Sequence, residues 1–169
     1  MIHLYYGEGK GKTTAAAGLA VRASGAGMKV LFAQFFKDGS SSEIVSLNAL
    51  PGIETAHPAA HFGRWRTMND AQRNEITGSC RAFFSGIAAR AEEFGLIVLD
   101  EAVSAYGYGA LDREAVTEFL RREGNRREIV LTGRHPAPEL LELADYATEM
   151  RKEKHPFDRG VTARPGIEY

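Results

Sequence analysis

Short apolar runs alternate with longer stretches whose apolar residues recur at helical spacing along the 169 residues of the chain. Such runs predict buried strands at residues 2–6, 29–35, 96–99 and 128–132. Weaker patterns indicate short strands at residues 52–57 and 146–150. Helices are predicted at residues 14–23 and 138–144, and after the N-cap residues Asn69 and Asp112. This alternation favours an open α/β sheet.

A glycine-rich turn joins the first predicted strand to the first predicted helix, and it contains Gly7, Glu8, Gly9, Lys10, Gly11, Lys12, Thr13 and Thr14. Strand, glycine loop and helix in this order are the context of a phosphate-binding loop. The glycines let several N–H groups point at one anion, and the helix adds its positive N-terminal end. Lys12 can carry charge to phosphate oxygens, and the Thr13 hydroxyl can bind Mg²⁺.

The loop is one residue shorter than usual, because the common spacing would place its first glycine at Tyr6. A plain connecting turn is the alternative interpretation. The glycine, the lysine and the two threonines at residues 11–14 argue against it.

Carboxylates end the strand at residues 96–99, where Asp100 and Glu101 follow four apolar residues. A buried strand that delivers acids to the phosphate end of a sheet is the Walker-B arrangement, which holds or orients Mg²⁺. Since neighbouring residues of a strand point to opposite faces, only one of the two acids is expected to reach the metal. Arg134 follows the strand at residues 128–132 and either contacts nucleotide or pairs with a surface acid.

Composition narrows the class of protein. With 21 basic and 22 acidic residues the net charge is −1, which argues against nucleic acid as the main partner. The single cysteine, Cys80, excludes an intrachain disulfide and lies in a helical core stripe, so a buried structural thiol is expected. Neither an 18-residue apolar run nor a leader is present, so one cytoplasmic domain over residues 1–169, without a membrane partner, is expected.

Three segments leave alternatives open. Residues 37–42 form either a lid at the ligand-facing edge of the sheet or an ordinary turn. Phe62 and Trp65 are either hydrophobic plugs or a platform for a flat ligand. Nearby, His57 and His61 are poor candidates for a metal site, because Pro58 disfavours a shared helical face. Residues 151–169 carry no regular pattern.

Further motifs follow the shortened phosphate loop in order along the chain. They are Ala20-Val21-Arg22, Gln34-Phe35-Phe36-Lys37, Val98-Leu99-Asp100-Glu101, Leu131-Thr132-Gly133-Arg134, Ala144-Asp145, Lys154-His155-Pro156-Phe157-Asp158-Arg159-Gly160-Val161 and Gly166-Ile167-Glu168-Tyr169. Together they resemble the ATP:corrinoid adenosyltransferases of the CobA/BtuR type. The resemblance runs from the first strand to the last residue.

The resemblance implies a RecA-like P-loop fold, with a mostly parallel sheet and helices on both faces, in a homodimer. It also implies an enzyme that uses ATP, Mg²⁺ and a corrinoid, with a flavoprotein reductase supplying electrons. Reduced cobalt attacks the 5′ carbon of ATP, and tripolyphosphate leaves. A protein nucleophile is not needed, which fits a sequence without a credible Ser–His or Cys–His pair.

The same resemblance assigns site residues by position. Residues 7–14 are the phosphate loop, Lys12, Thr13 and Glu101 are catalytic, and Thr13 and Glu101 contact Mg²⁺. Nucleotide contacts are Arg22 and Arg134, and the aromatic residues beneath the corrin are Phe62 and Trp65. Two other classes of function stay open: a P-loop kinase or NTPase for another small substrate, and a non-catalytic corrinoid or nucleotide carrier.

Overall fold

A computed structural model describes residues 1–60, 63 and 65–168. In these residues the strands form one sheet in which every neighbouring pair is parallel, in the order β3-β2-β4-β5-β1-β6. The strands are β1 (Ile2–Tyr6), β2 (Val30–Gln34), β3 (Ile53–Ala56), β4 (Leu96–Asp100), β5 (Glu128–Gly133) and β6 (Tyr146–Glu149). The predicted parallel sheet is confirmed.

The helices of the described chain are α1 (Lys12–Gly25), α2 (Ser42–Asn48), α3 (Asp70–Ala89), α4 (Ala102–Gly107), α5 (Arg113–Glu123) and α6 (Pro138–Leu143). Both predicted N-caps are confirmed. The Asn69 side chain accepts a hydrogen bond from the Gln72 N–H in a capping box, and Asp112 accepts one from the Ala115 N–H. None of these helices has the length and apolar character that a membrane crossing requires.

Buried strand residues alternate between two cores, so helices cover both faces of the sheet as predicted. One core packs Leu31, Ile97 and Ile129 with apolar residues of α3 and α5. The other packs Val30, Phe32, Leu96, Val98 and Val130 with small residues of α1 and apolar residues of α2. This two-sided burial explains why the central strands are continuous apolar runs.

Two helices were not predicted. Helix α2 begins at Ser42, at the end of the segment interpreted as a lid or a turn, and its cap residue Ser41 makes no side-chain capping bond. Helix α4 is short and begins directly after Asp100 and Glu101. Its apolar residues therefore cannot be told apart, by pattern alone, from the apolar strand that precedes them. Both helices start at the carboxyl edge of the sheet. They therefore shape the edge where ligands bind in parallel α/β folds.

Candidate nucleotide-binding site

The loop between β1 and α1 holds a conformation that its glycines make possible. Gly7 and Gly11 have φ of 107° and 112°, which L side chains rarely adopt. At Gly9 the limit is space, since an added Cβ would lie 2.6 Å from the Met150 carbonyl oxygen and 2.7 Å from that of Arg151. The Gly9 N–H also donates to the Met150 carbonyl at 2.6 Å. The loop is therefore fixed against the chain that leaves β6.

Lys12 closes this loop with its own side chain. Its ammonium donates to the carbonyl oxygens of Gly7 and Gly9, each at 2.7 Å. Burial lowers the pKa of Lys12, and the Glu101 carboxylate opposes that shift. Lys12 is also the first residue of α1, so the helix N-terminus adds positive charge at the same place. Loop, lysine and helix end together form an anion site.

Asp100 is the centre of a hydrogen-bond network behind the loop. Its side chain is fully buried. Its Oδ1 accepts from the hydroxyls of Thr13 at 2.8 Å and Thr132 at 2.7 Å. Its Oδ2 accepts from the Gln34 amide at 3.2 Å and lies 3.1 Å from the Lys37 ammonium. The end of β4 is thereby tied to α1, β5 and β2, and the Thr13 hydroxyl is held in place.

Glu101 lies next to Asp100 in the chain, but it follows strand β4 rather than belonging to it. Strand β4 ends at Asp100, and Glu101 has a left-handed φ of 60°, so strand alternation does not separate the two acids. The Glu101 carboxylate accepts from the Ser104 hydroxyl at 2.7 Å. Burial, with Asp100 beside it, raises the pKa of Glu101. The carboxylates of both acids act to raise the pKa of Lys12 and of Lys37. Strand alternation therefore does not decide which acid reaches a metal, and the Mg²⁺ contact of Glu101 stays a prediction.

The residues present fit a divalent cation with hard oxygen ligands. The Thr13 hydroxyl and the Asp100 carboxylate bring oxygens within 2.8 Å of each other, Glu101 is the next residue of the chain, and the buried Gln34 Oε1 has no hydrogen-bond partner in the described chain. The described residues contain no cluster of three or more His, Cys, Asp or Glu side chains that could hold a metal unaided. A site with few protein ligands suits Mg²⁺, which usually binds one or two carboxylates together with substrate phosphates.

Arg134 pairs with an acid of the phosphate loop itself. Its guanidinium lies 2.9 Å from the Glu8 carboxylate, and His135 lies 3.0 Å from the same carboxylate. The Gly7 N–H also donates to the Arg134 carbonyl at 3.1 Å. The pairing with an acid is therefore observed, and the contact of Arg134 with nucleotide stays a prediction.

Arg22 is the predicted nucleotide contact that the structure does not bring to the loop. It is exposed and lies in the last part of α1, ten residues after Lys12. That separation is about 15 Å along the helix axis. Its contact with nucleotide stays a prediction.

Trp65 belongs to an aromatic cluster at the carboxyl edge of the sheet. Its ring is stacked on Tyr108, with centroids 5.4 Å apart and planes 7° apart, and Phe36 lies 5.7 Å away. Phe36 directly precedes Lys37 and has a left-handed φ of 55°. Phe62 and His61 lie outside the described residues. Neither Phe36 nor Tyr108 was predicted to lie in the site. Phe36 could have been found from its position directly after a buried strand.

The comparisons with known proteins agree with this geometry. The family model of the ATP:corrinoid adenosyltransferase BtuR/CobO/CobP matches residues 1–169. The chain belongs to this family. It is 36% identical to the corrinoid adenosyltransferase of Escherichia coli K12 over 171 residues, covering 100% of this chain and 85% of that one. It is 32% identical to the corrinoid adenosyltransferase of Pseudomonas aeruginosa, covering 98% of this chain and 82% of that one.

A solved structure supports the fold alone. EssC (ATPases 2 and 3) from Geobacillus thermodenitrificans has a TM-score of 0.54 at 13% identity, covering 99% of this chain and 36% of that one. The adenosyltransferase family uses ATP and corrinoid substrates, and its members are transferases. The candidate site therefore lies in a chain whose family consists of ATP-using transferases.

Proposed function

We propose that this enzyme transfers the 5′-deoxyadenosyl group of ATP to the cobalt of a reduced corrinoid, with release of tripolyphosphate. The observation that carries the proposal is Lys12 held over the phosphate loop beside the Thr13–Asp100 pair. Membership in the adenosyltransferase family supplies the corrinoid.

The anion site suits a leaving group that carries a whole triphosphate. As the bond to the 5′ carbon breaks, negative charge grows on the α-phosphate oxygen. The Lys12 ammonium and the N-terminus of α1 are fixed before the reaction and stabilise that charge. Arg134 can add a bidentate contact to a phosphate once it leaves Glu8.

The nucleophile in this proposal is cobalt, so the protein has to position it rather than activate a side chain. Cys80 illustrates the point. It is fully buried in α3, and burial raises the pKa of its thiol to about 11, so it is not a nucleophile.

Magnesium is proposed as the cation of this site, held by Thr13 and Glu101 with Asp100 behind Thr13. When bound, it would neutralise charge on the triphosphate. The chain's own part is to fix the Thr13 hydroxyl through Asp100 and to keep Lys12 on the loop.

Trp65 is proposed to pack against the corrin ring. The cluster of Phe36, Trp65 and Tyr108 presents flat apolar rings at the same edge of the sheet as the phosphate loop. An apolar surface beneath cobalt would keep axial ligands away and ease reduction of cobalt(II). Phe62 stays a prediction beside it. A homodimer, a flavoprotein reductase as electron donor and a cytoplasmic location, where ATP is supplied, complete the proposal.

The identity of the phosphate product tests the proposal. The enzyme is incubated with ATP, Mg²⁺ and cob(I)alamin made by chemical reduction, and the adenosylated corrinoid and the phosphates are quantified. Equal amounts of adenosylcobalamin and tripolyphosphate are expected. ADP with phosphate would instead support a kinase or NTPase, and ligand binding without any product would support a carrier.

A further inference from the structure

Lys37 provides a positive charge at the place where the carboxylates of the site converge. Its ammonium lies 3.1 Å from the Asp100 carboxylate and 3.4 Å from the Glu43 carboxylate. The Gln34 amide donates to both of these acids, at 3.2 Å and 2.9 Å. Glu43 comes from the first turn of α2, so the segment from Phe35 to Ser41 is held at both ends of this network.

A divalent cation and the Lys37 ammonium need the same negative charge. Asp100 is fully buried and already accepts hydrogen bonds from Thr13, Thr132 and Gln34, so Lys37 is its charged partner in this structure. Two cations a few ångströms apart in a partly buried site repel each other strongly. Binding of a metal beside Thr13 therefore opposes the contact between Lys37 and Asp100.

We propose that Lys37 is a positioning residue that neutralises Asp100 in the metal-free enzyme and is displaced when a divalent cation binds together with a triphosphate. The inference rests on the proposed function, because it takes Mg²⁺–ATP as the ligand. The displaced ammonium gains the triphosphate as a new anionic partner, which the metal alone does not provide. Lys37 thus makes binding of the free metal weak and links metal binding to ATP binding.

Binding of Mn²⁺ in the absence of nucleotide, followed by electron paramagnetic resonance, measures this effect without any turnover. Lys37→Met removes the charge while keeping an unbranched side chain, and it should tighten Mn²⁺ binding about tenfold. Glu43→Gln removes one of the two carboxylates that form ion pairs with Lys37, so the ammonium pairs more strongly with Asp100 and Mn²⁺ binding should weaken. Lys37→Arg keeps the charge and should bind Mn²⁺ as the unmodified enzyme does.

Lys29→Met is the matched control, because Lys29 precedes the other end of β2 and pairs with the exposed Glu93 at 3.3 Å. This variant should leave Mn²⁺ binding unchanged. In a second measurement, equilibrium dialysis with ATP and Mg²⁺, Lys37→Met should bind ATP more weakly than the unmodified enzyme.

The outcomes separate this inference from the proposed function. Mn²⁺ binding to Lys37→Met that is unchanged, weakened or undetectable overturns the role of Lys37, even if ATP binds normally and adenosylcobalamin forms. An enzyme that forms no adenosylcobalamin overturns the proposed function. Tighter Mn²⁺ binding by Lys37→Met, together with weaker binding by Glu43→Gln, supports the inference.

Discussion

Lys12 holds the phosphate loop in shape before any anion arrives. Its ammonium donates hydrogen bonds to two loop carbonyl oxygens. Without the ammonium, these carbonyl dipoles would repel phosphate oxygens. In the proposed complex with ATP, phosphate oxygens would replace these carbonyls as acceptors of the Lys12 ammonium. The positive charge that the proposed reaction needs is therefore already fixed at the loop before ATP binds.

Lys12→Ala should lower ATP-dependent adenosyl transfer about a hundredfold or more, because a fixed cation on the leaving phosphate is lost. The melting temperature should change by no more than about 4 °C, since the loss of two hydrogen bonds is offset in part by removal of a partly buried charge. Turnover at saturating ATP and thermal unfolding measure the two effects. Lys29→Ala, at an exposed lysine outside the loop, is the control. Near-normal turnover by Lys12→Ala would remove the phosphate-loop assignment.

Gly9 in the phosphate loop and Gly18 in helix α1 give a matched pair of alanine substitutions, in which the first tests the packing of the loop and the second is its control. Gly9→Ala brings a Cβ to within 2.7 Å of two backbone carbonyls, so the loop has to shift away from Met150 and Arg151. A displacement of about 1 Å in such a site lowers turnover about a hundredfold. Turnover and thermal melting of this variant are compared with those of the unmodified enzyme.

Gly18→Ala is the counterpart, because Gly18 is exposed in α1 and an added Cβ meets nothing within 4 Å. Alanine in a helix is favoured over glycine by about 1 kcal/mol, so the melting temperature should rise by about 2–4 °C with unchanged turnover. Full activity in Gly9→Ala would show that the close approach to Met150 is not required.

Among the elements, those with a single strong signal could be predicted from the sequence. The central strands are continuous apolar runs, and α3 and α5 begin at Asn69 and Asp112, whose side chains form the expected caps. Helix α2 has no such side-chain cap, and α4 is shorter than two turns, so neither stands out from its surroundings. Helix α6 is as short as α4, but it begins at Pro138, a start signal that α4 lacks.

The edge of the sheet was harder to predict, because two non-glycine residues there adopt left-handed backbone angles. Phe36 follows β2 and Glu101 follows β4, and both have positive φ. Such conformations persist only where surrounding contacts hold them. A sequence pattern assumes continued strand geometry, so it placed Asp100 and Glu101 on opposite faces and gave Phe36 no place in the site.

The segment of Phe36 and Lys37 connects two parts of the site. Phe36 touches the aromatic cluster through Trp65 and Tyr108, while the next residue contacts Asp100. A movement of Lys37 therefore reaches the aromatic cluster through one peptide unit. Since Trp65 is the only tryptophan in the sequence, intrinsic fluorescence reports on this cluster directly.

Tyr108→Leu should shift the emission of Trp65 to longer wavelength, because the stacked ring that shields the indole is removed. Steady-state fluorescence of the ligand-free enzyme measures the shift. Tyr146→Leu is the control, since Tyr146 lies in β6, four strands away from β2 in the sheet order, and stacks on His3. An unchanged emission in Tyr108→Leu would mean that the stacking does not set the surroundings of Trp65.

At the scale of the whole molecule, the fold does not by itself determine the chemistry of the site. The likeness to EssC (ATPases 2 and 3) of Geobacillus thermodenitrificans, at 13% identity, shows that the same fold forms from a very different sequence. The site lies where the ends of β1, β2, β4 and β5 meet. A ligand there contacts residues far apart in sequence, such as Thr13 and Asp100, which the folded sheet brings to 2.8 Å.

Binding of Mg²⁺–ATP should therefore stabilise the entire fold, because the unfolded chain has no such site. At about 100 times the dissociation constant, a ligand adds about 2.7 kcal/mol, which raises the melting temperature of a chain of this size by about 5–10 °C. Differential scanning calorimetry with Mg²⁺ and ATP, with ATP and EDTA, and with Mg²⁺ alone separates the contributions.

The full rise is expected only with both ligands, since Lys37 opposes the metal alone and the uncompensated triphosphate meets Asp100 and Glu101. Lys12→Ala should lose most of the rise. An equal rise with ATP and EDTA would show that the carboxylates at the end of β4 hold no metal with the nucleotide.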